Sequence, residues 1–108
     1  MGPLTQNEIL ILAALGSNER YGREVMEEVE TLTKGRYKLA LGGLYTTLHR
    51  MEKKGLISGR WGERHSEEIL AQRRYYRITG AGRRVLSEAE AALTPALRSV
   101  RASTSGRP

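Results

Sequence analysis

Between Leu41 and Lys53 the sequence places Gly42, Gly43, Thr46, His49, Arg50 and Lys53 where they gather on one side of a helix advancing roughly 100° per residue. The set comprises two residues without side chains, a hydroxyl, an imidazole and two cations. Its chemistry is recognition of a polyanion rather than bond-making. Arg can grip a guanine edge bidentately, Lys adds charge at phosphate, and glycines let a duplex approach the backbone. The other side of the same stretch carries Leu41, Leu44, Leu48 and Met51, with Tyr45 at the edge of that stripe. We read the stretch as the recognition helix of a DNA-binding domain. Periodicity alone fits an ordinary solvated face equally well, so the surrounding elements must decide.

No other chemistry competes. His49 and His65 have no convincing partner ligands, there is no Cys, and no metal site is expected. No nucleophile is paired with a base and no glycine-rich phosphate loop follows a strand, so neither an enzyme nor a cofactor is expected. The 108 residues carry a formal charge of +6, which favours an acidic partner. A chain that is 39% hydrophobic, with no Phe and one Trp, is expected to finish burying its apolar surface against a second copy. The longest apolar run, Ile9 to Leu15, is far shorter than the ~20 residues of a membrane span. No signal peptide is visible, and a cytoplasmic location is expected.

The helix needs a scaffold, and the flanking sequence supplies one. Thr5 and Glu8 form a capping-box pattern ahead of an apolar segment that ends at Gly16. From Tyr21 to about Leu32, Val25, Met26, Val29 and Leu32 mark an inward face, with Glu24, Glu27, Glu28 and Glu30 as polar cover. That acidic face should point away from nucleic acid. The basic turn Lys34 to Lys38 then leads into the recognition helix, where Arg36 and Lys38 can hold the DNA backbone. Ala40 offers no capping oxygen, but Gly55 and Leu56 after the helix fit a left-handed Schellman stop against Met51.

Residues 57–62 and 73–79 alternate at strand period, with Ile57 and Trp61 on one face of the first and Tyr76 and Ile78 on one face of the second. The ten residues Glu63 to Gln72 make a long tip between them. Trp61 reads more as a strand-packing residue than as a ligand platform. The fold class is therefore mainly α with a small β-hairpin: a winged helix-turn-helix at 1–79 followed by a C-terminal dimerisation helix at 80–101. Thr79 can cap that last helix. Leu86, Leu93 and Val100 recur every seven residues, with Ala89 and Leu97 between them, a short heptad seam. Pro95 should kink or restart it, and 102–108 read as a disordered tail.

In their order and spacing, Tyr21-Gly22, Gly35-Arg36-Tyr37, Gly42, Leu44-Tyr45, Leu48, Arg50-Met51-Glu52, Gly55-Leu56-Ile57, Trp61 and Arg74 to Thr79 with Ala81-Gly82 resemble the PadR family of bacterial transcriptional regulators. The resemblance covers about Leu12 to Leu86. It implies a homodimer on a palindromic operator, usually a repressor, with the first and last helices forming the dimer interface. Ile9, Leu12, Leu86, Ala89, Leu93, Leu97 and Val100 are the expected dimer residues. Departures occur at Ala40-Leu41, where the family commonly has Ser-Pro, at Gly43, where it often has Thr or Ser, and at Arg23, often aromatic. The tip lacks the usual Gly-Arg-Pro and carries Glu67 and Glu68, which leaves the wing's basic contribution mainly to Arg73 and Arg74. The C-terminal helix lacks Trp, so the aromatic-ligand sandwich of some small members is not carried over; a small-molecule effector of another kind stays open.

The expected DNA contacts are thus Arg36, Lys38, Gly42, Gly43, Tyr45, Thr46, Arg50, Lys53, Arg73 and Arg74. Two other readings remain open at this point. One is a winged-helix protein-docking module anchored by Ile69-Leu70; the other is a basic nucleic-acid coat protein without sequence preference.

Overall fold

The computed structural model describes residues 4–62 and 73–105, with side-chain surroundings as far as Ser99. The elements run α1 (Gln6–Leu15), β1 (Arg20–Tyr21), α2 (Gly22–Leu32), α3 (Leu41–Lys53), β2 (Ile57–Trp61), β3 (Arg74–Ile78) and α4 (Gly80–Ser105). The chain is mainly helical with a small antiparallel sheet, as expected. Three helices precede the β2–β3 hairpin of the wing. The wing tip 63–72, with Ile69 and Leu70, lies outside the described residues.

Local signals did what the sequence required of them. Thr5 Oγ1 accepts the Glu8 backbone N–H at 3.1 Å, and Glu8 Oε1 accepts the Thr5 N–H at 2.9 Å, completing the capping box of α1. At the end of α3, Gly55 adopts φ 78°, with Leu56 N–H bonding Met51 O and Gly55 N–H bonding Glu52 O, each at 3.0 Å. Those two bonds are the Schellman pair, and they turn the chain directly into β2. Thr79 Oγ1 accepts from the Gly82 N–H and donates to Gly55 O, so the cap of α4 is also tied to the stop of α3.

One strand was not anticipated. Arg20 and Tyr21 pair antiparallel with Tyr76 and Tyr75, giving the sheet order β1-β3-β2. Two residues are too short to show alternation; only the distant partner in β3 makes them a strand. In the wing, Ile57 faces Ile78, Gly59 faces Tyr76, and Trp61 faces Arg74.

The core lies where α1, α2, α3 and the sheet converge. Leu12, Leu15, Val25, Val29, Leu48, Met51 and Leu56 are fully buried there. Leu12 was expected at a dimer surface. It belongs instead to this core, because the turn of α1 that carries it faces α2.

α4 departs from expectation twice. It is one helix through Pro95, without a restart after Thr94. Pro95 removes the N–H that would bond the Ala91 carbonyl; both residues are exposed, so water can satisfy that carbonyl. The helix also continues to Ser105, so most of the expected tail is helical, and 106–108 lie outside the described residues. At 26 residues α4 is ~39 Å long, most of it beyond the domain, whose long axis with α4 reaches 65 Å.

Candidate nucleic-acid interface

α3 buries Leu44, Leu48 and Met51 and turns Gly42, Gly43, Thr46, His49 and Lys53 outward. A Cβ added at Gly42 or Gly43 would meet nothing within 4 Å, so this end of the helix is bare backbone. Thr46 and Thr47 bond back to the carbonyls of Gly42 and Gly43, at 3.4 and 3.0 Å, which fixes their hydroxyls against the helix. The helix starts without a side-chain cap at Ala40, as its sequence indicated.

The two edges of this face are anchored differently. On the α1 side, Arg50 Nε lies 3.8 Å from Glu8 Oε2, and Lys54 Nζ lies 3.2 Å from the same oxygen. Glu8 is 1% exposed and is the one buried charged residue among those described. Burial disfavours its charge, but the Thr5 backbone N–H and the Lys54 ammonium outweigh that, and the carboxyl is held below its usual range. Arg50, expected to reach bases freely, is therefore shared with a carboxylate of α1 and is half exposed.

On the wing side, Tyr45 leans across α2. Its ring lies on Gly22, where an added Cβ would stand 2.7 Å from the phenolic oxygen. Tyr45 remains 46% exposed. Arg74 reaches Glu52 of α3 through a charge-assisted hydrogen bond and stacks over the Trp61 ring at 5.1 Å. Arg74 is thus committed to the fold rather than available as a free cation. Trp61 is corrected too: it is 58% exposed, because the sheet face it shares with Ile57 runs past the end of the core.

The remaining expected contacts sort as follows. Lys53 is exposed beside His49, and Arg73 is exposed with its guanidinium 4.5 Å from the Tyr21 ring centroid. Arg36 is exposed in the turn before α3, whereas Lys38 lies 3.7 Å from Glu30. Tyr45, Lys53 and Arg74 line one cleft between α3 and the wing, and Arg73 lines an adjoining hollow with Tyr45 and Arg74; Thr46 is exposed on α3, and Arg36 and Lys38 lie in the turn before it. Sequence reasoning missed Glu8 as a partner of α3, since its capping role already explained it, and missed Gly22 as the seat of Tyr45. The Tyr21-Gly22 pair owes its glycine to a contact with Tyr45 that no local pattern shows.

Of the expected dimer residues, Leu93 and Leu97 are exposed, while Ile9 and Ala89 are partly so. Leu86 packs partly on the chain's own core, because the first turns of α4 lie against α1 and β3. The Val100 side chain lies outside the described residues. Among the described residues no group of His, Asp or Glu could hold a metal, and no helix is long and apolar enough to cross a membrane.

Residues 11–88 match the transcriptional regulator PadR-like family. A transcriptional regulator of Mycobacterium tuberculosis is 37% identical over 93 residues, 83% of this chain and 78% of that one. Among solved structures, a PadR-like transcriptional regulator of Bacillus cereus superposes with a TM-score of 0.74 at 26% identity, covering 94% and 93% of the two chains. Bacillus subtilis PadR, solved in complex with operator DNA, shares the fold at 17% identity and TM-score 0.68, covering 80% of this chain and 47% of that one. On the extent of the family match and the shared winged helix, this chain belongs to the PadR-like family of transcriptional regulators.

Proposed function

We propose that this protein is a sequence-specific DNA-binding regulator that acts in the cytoplasm as a homodimer, repressing from a palindromic operator. The observation that carries the reading is the uncovered outward face of α3. Bare glycine backbone, Thr46 and Lys53 lie exposed there, with a wing alongside and nothing among the described residues packed over them. A helix of this kind fits the major groove, which is ~12 Å wide. Bacillus subtilis PadR, which has the same fold, is solved in complex with operator DNA, and this supports DNA as the partner.

Dimerisation through α4 supplies the second half-site reader. Leu93 and Leu97 project from a helix that overhangs its own domain, and Ile9 on α1 and Ala89 on α4 are partly exposed. A small-molecule inducer would act by altering the angle between protomers and so the half-site spacing. Thermal-shift screening of small molecules with and without DNA tests for one.

The testing experiment is a mobility-shift assay against fragmented genomic DNA, followed by footprinting of the retained fragments. Saturable, sequence-dependent binding with two protected half-sites ~10 bp apart is expected. A protein-docking module would give no such shift, and a coat protein would bind every fragment alike.

A further inference from the structure

The cleft between α3 and the wing is a groove of about 660 Å³ with an uneven distribution of chemistry. Its floor is neutral: Arg74 lies over Gly59, where an added Cβ would meet the guanidinium at 2.8 Å, and there it is bonded to Glu52. One wall is the α3 edge with Tyr45, and the other is the indole of Trp61. Lys53 stands at its rim, and Arg73 stands at the rim of an adjoining hollow that shares Tyr45, Trp61, Arg74 and Tyr76 with it.

Trp61 requires an explanation. The largest side chain of the protein sits on the core-facing side of the sheet, yet apart from the Arg74 guanidinium over its ring it is left 58% exposed among the described residues. Leaving that much aromatic surface in water forgoes its burial energy. An occupant with apolar faces flanked by negative charge would fit both the walls and the rims. A deoxyribose-phosphate strand has that form: sugar faces for the aromatic walls, phosphates for the rim cations.

We infer that this groove seats one backbone strand of the duplex, with Trp61 packed on a deoxyribose and Lys53 and Arg73 on the adjoining phosphates. The inference rests on the DNA-binding reading and adds that the base of the wing, rather than its tip, is a sequence-independent clamp. Trp61 is then a binding residue rather than a packing residue.

Because Trp61 is the only tryptophan, its fluorescence reports the groove directly. The wild-type protein is titrated at low salt with a random-sequence duplex of two helical turns. Binding is followed by anisotropy of a dye on the duplex, and Trp61 exposure by acrylamide quenching. The expected result is a quenching constant reduced at least about twofold in step with binding, in keeping with burial of an exposed indole. Trp61→Leu is expected to lose about fivefold in affinity for duplexes of every sequence with the salt slope unchanged. Arg73→Ala should lower that slope by about one. Binding without protection of Trp61 overturns the groove assignment and leaves the DNA-binding reading intact. An indole already shielded in the DNA-free protein overturns it in favour of a second copy or another protein segment. Absence of any duplex binding at low salt overturns both.

Discussion

Glu8 in the first turn of α1 and Lys54 just after α3 lie 3.2 Å apart across 46 positions of sequence, with Arg50 at 3.8 Å from the same carboxylate oxygen. The buried carboxylate caps its own helix and at the same time fixes the end of α3. Its folded value lies below the ordinary 4.5, so its contribution is fully present above the unfolded value and is lost as pH falls through the folded one. Glu8→Gln should therefore cost about 2 kcal/mol near neutral pH, because two cations and a capping N–H lose their charged partner. The difference from wild type should shrink as unfolding is measured at pH values progressively below 4.5. A pH-independent difference would mean that the carboxylate's charge is not what holds the two helices.

The contact of Tyr45 with Gly22 gives a second expectation. In a first helical turn Gly→Ala usually stabilises slightly, by up to about 1 kcal/mol. At Gly22 the new methyl would displace the exposed Tyr45 ring, whose far end can swing away into solvent. Gly22→Ala should thus leave the melting temperature within a few degrees of wild type yet weaken DNA binding as much as Tyr45→Ala does. Urea unfolding and anisotropy on the same samples separate the two effects.

Gly55 and Gly80 predict opposite signs. Gly55 is at φ 78° in the stop between α3 and β2, and Gly55→Ala should cost about 1 kcal/mol through left-handed strain. Gly80 begins α4 with open space where a Cβ would go, so Gly80→Ala should stabilise by about 0.5 kcal/mol. Denaturant midpoints of the two variants should move in opposite directions.

The overhanging part of α4 predicts an oligomeric state. Leu93 and Leu97 are 45% and 64% exposed in the single chain, and a Leu93→Glu, Leu97→Glu pair should convert a dimer to monomer without unfolding α1 to β3. Sedimentation equilibrium reads the state, and far-ultraviolet dichroism checks the fold. A dimer that survives the double change would place the interface elsewhere.

How much of this was legible in the sequence divides along locality. The capping box at Thr5 and Glu8, the glycine stop at Gly55, the Thr79 cap and the α3 core residues Leu44, Leu48 and Met51 are each written within a few residues and appear in the structure; Leu41, read into the same stripe, is exposed in the first turn of α3. The pairing of Arg20 and Tyr21 with β3, the sharing of Arg50 with Glu8, and the capture of Arg74 by Glu52 depend on partners far away in sequence. Periodicity placed Arg50 on the outer face of α3 and gave no way to see α1 beside it. Trp61 was misjudged because strand alternation reveals which face a residue occupies, not where the core beneath that face ends.

The most direct test of the account is the affinity of wild-type and Lys53→Ala protein for one retained genomic fragment and for a random duplex, measured across a range of salt. The account predicts saturable preference for the fragment by wild type. It further predicts that the variant loses affinity for both duplexes by a similar factor, with a salt slope lower by about one. Equal binding of the two duplexes by wild type, or a variant indistinguishable from it at every salt concentration, would contradict the claim that the open face of α3 is where this protein meets DNA.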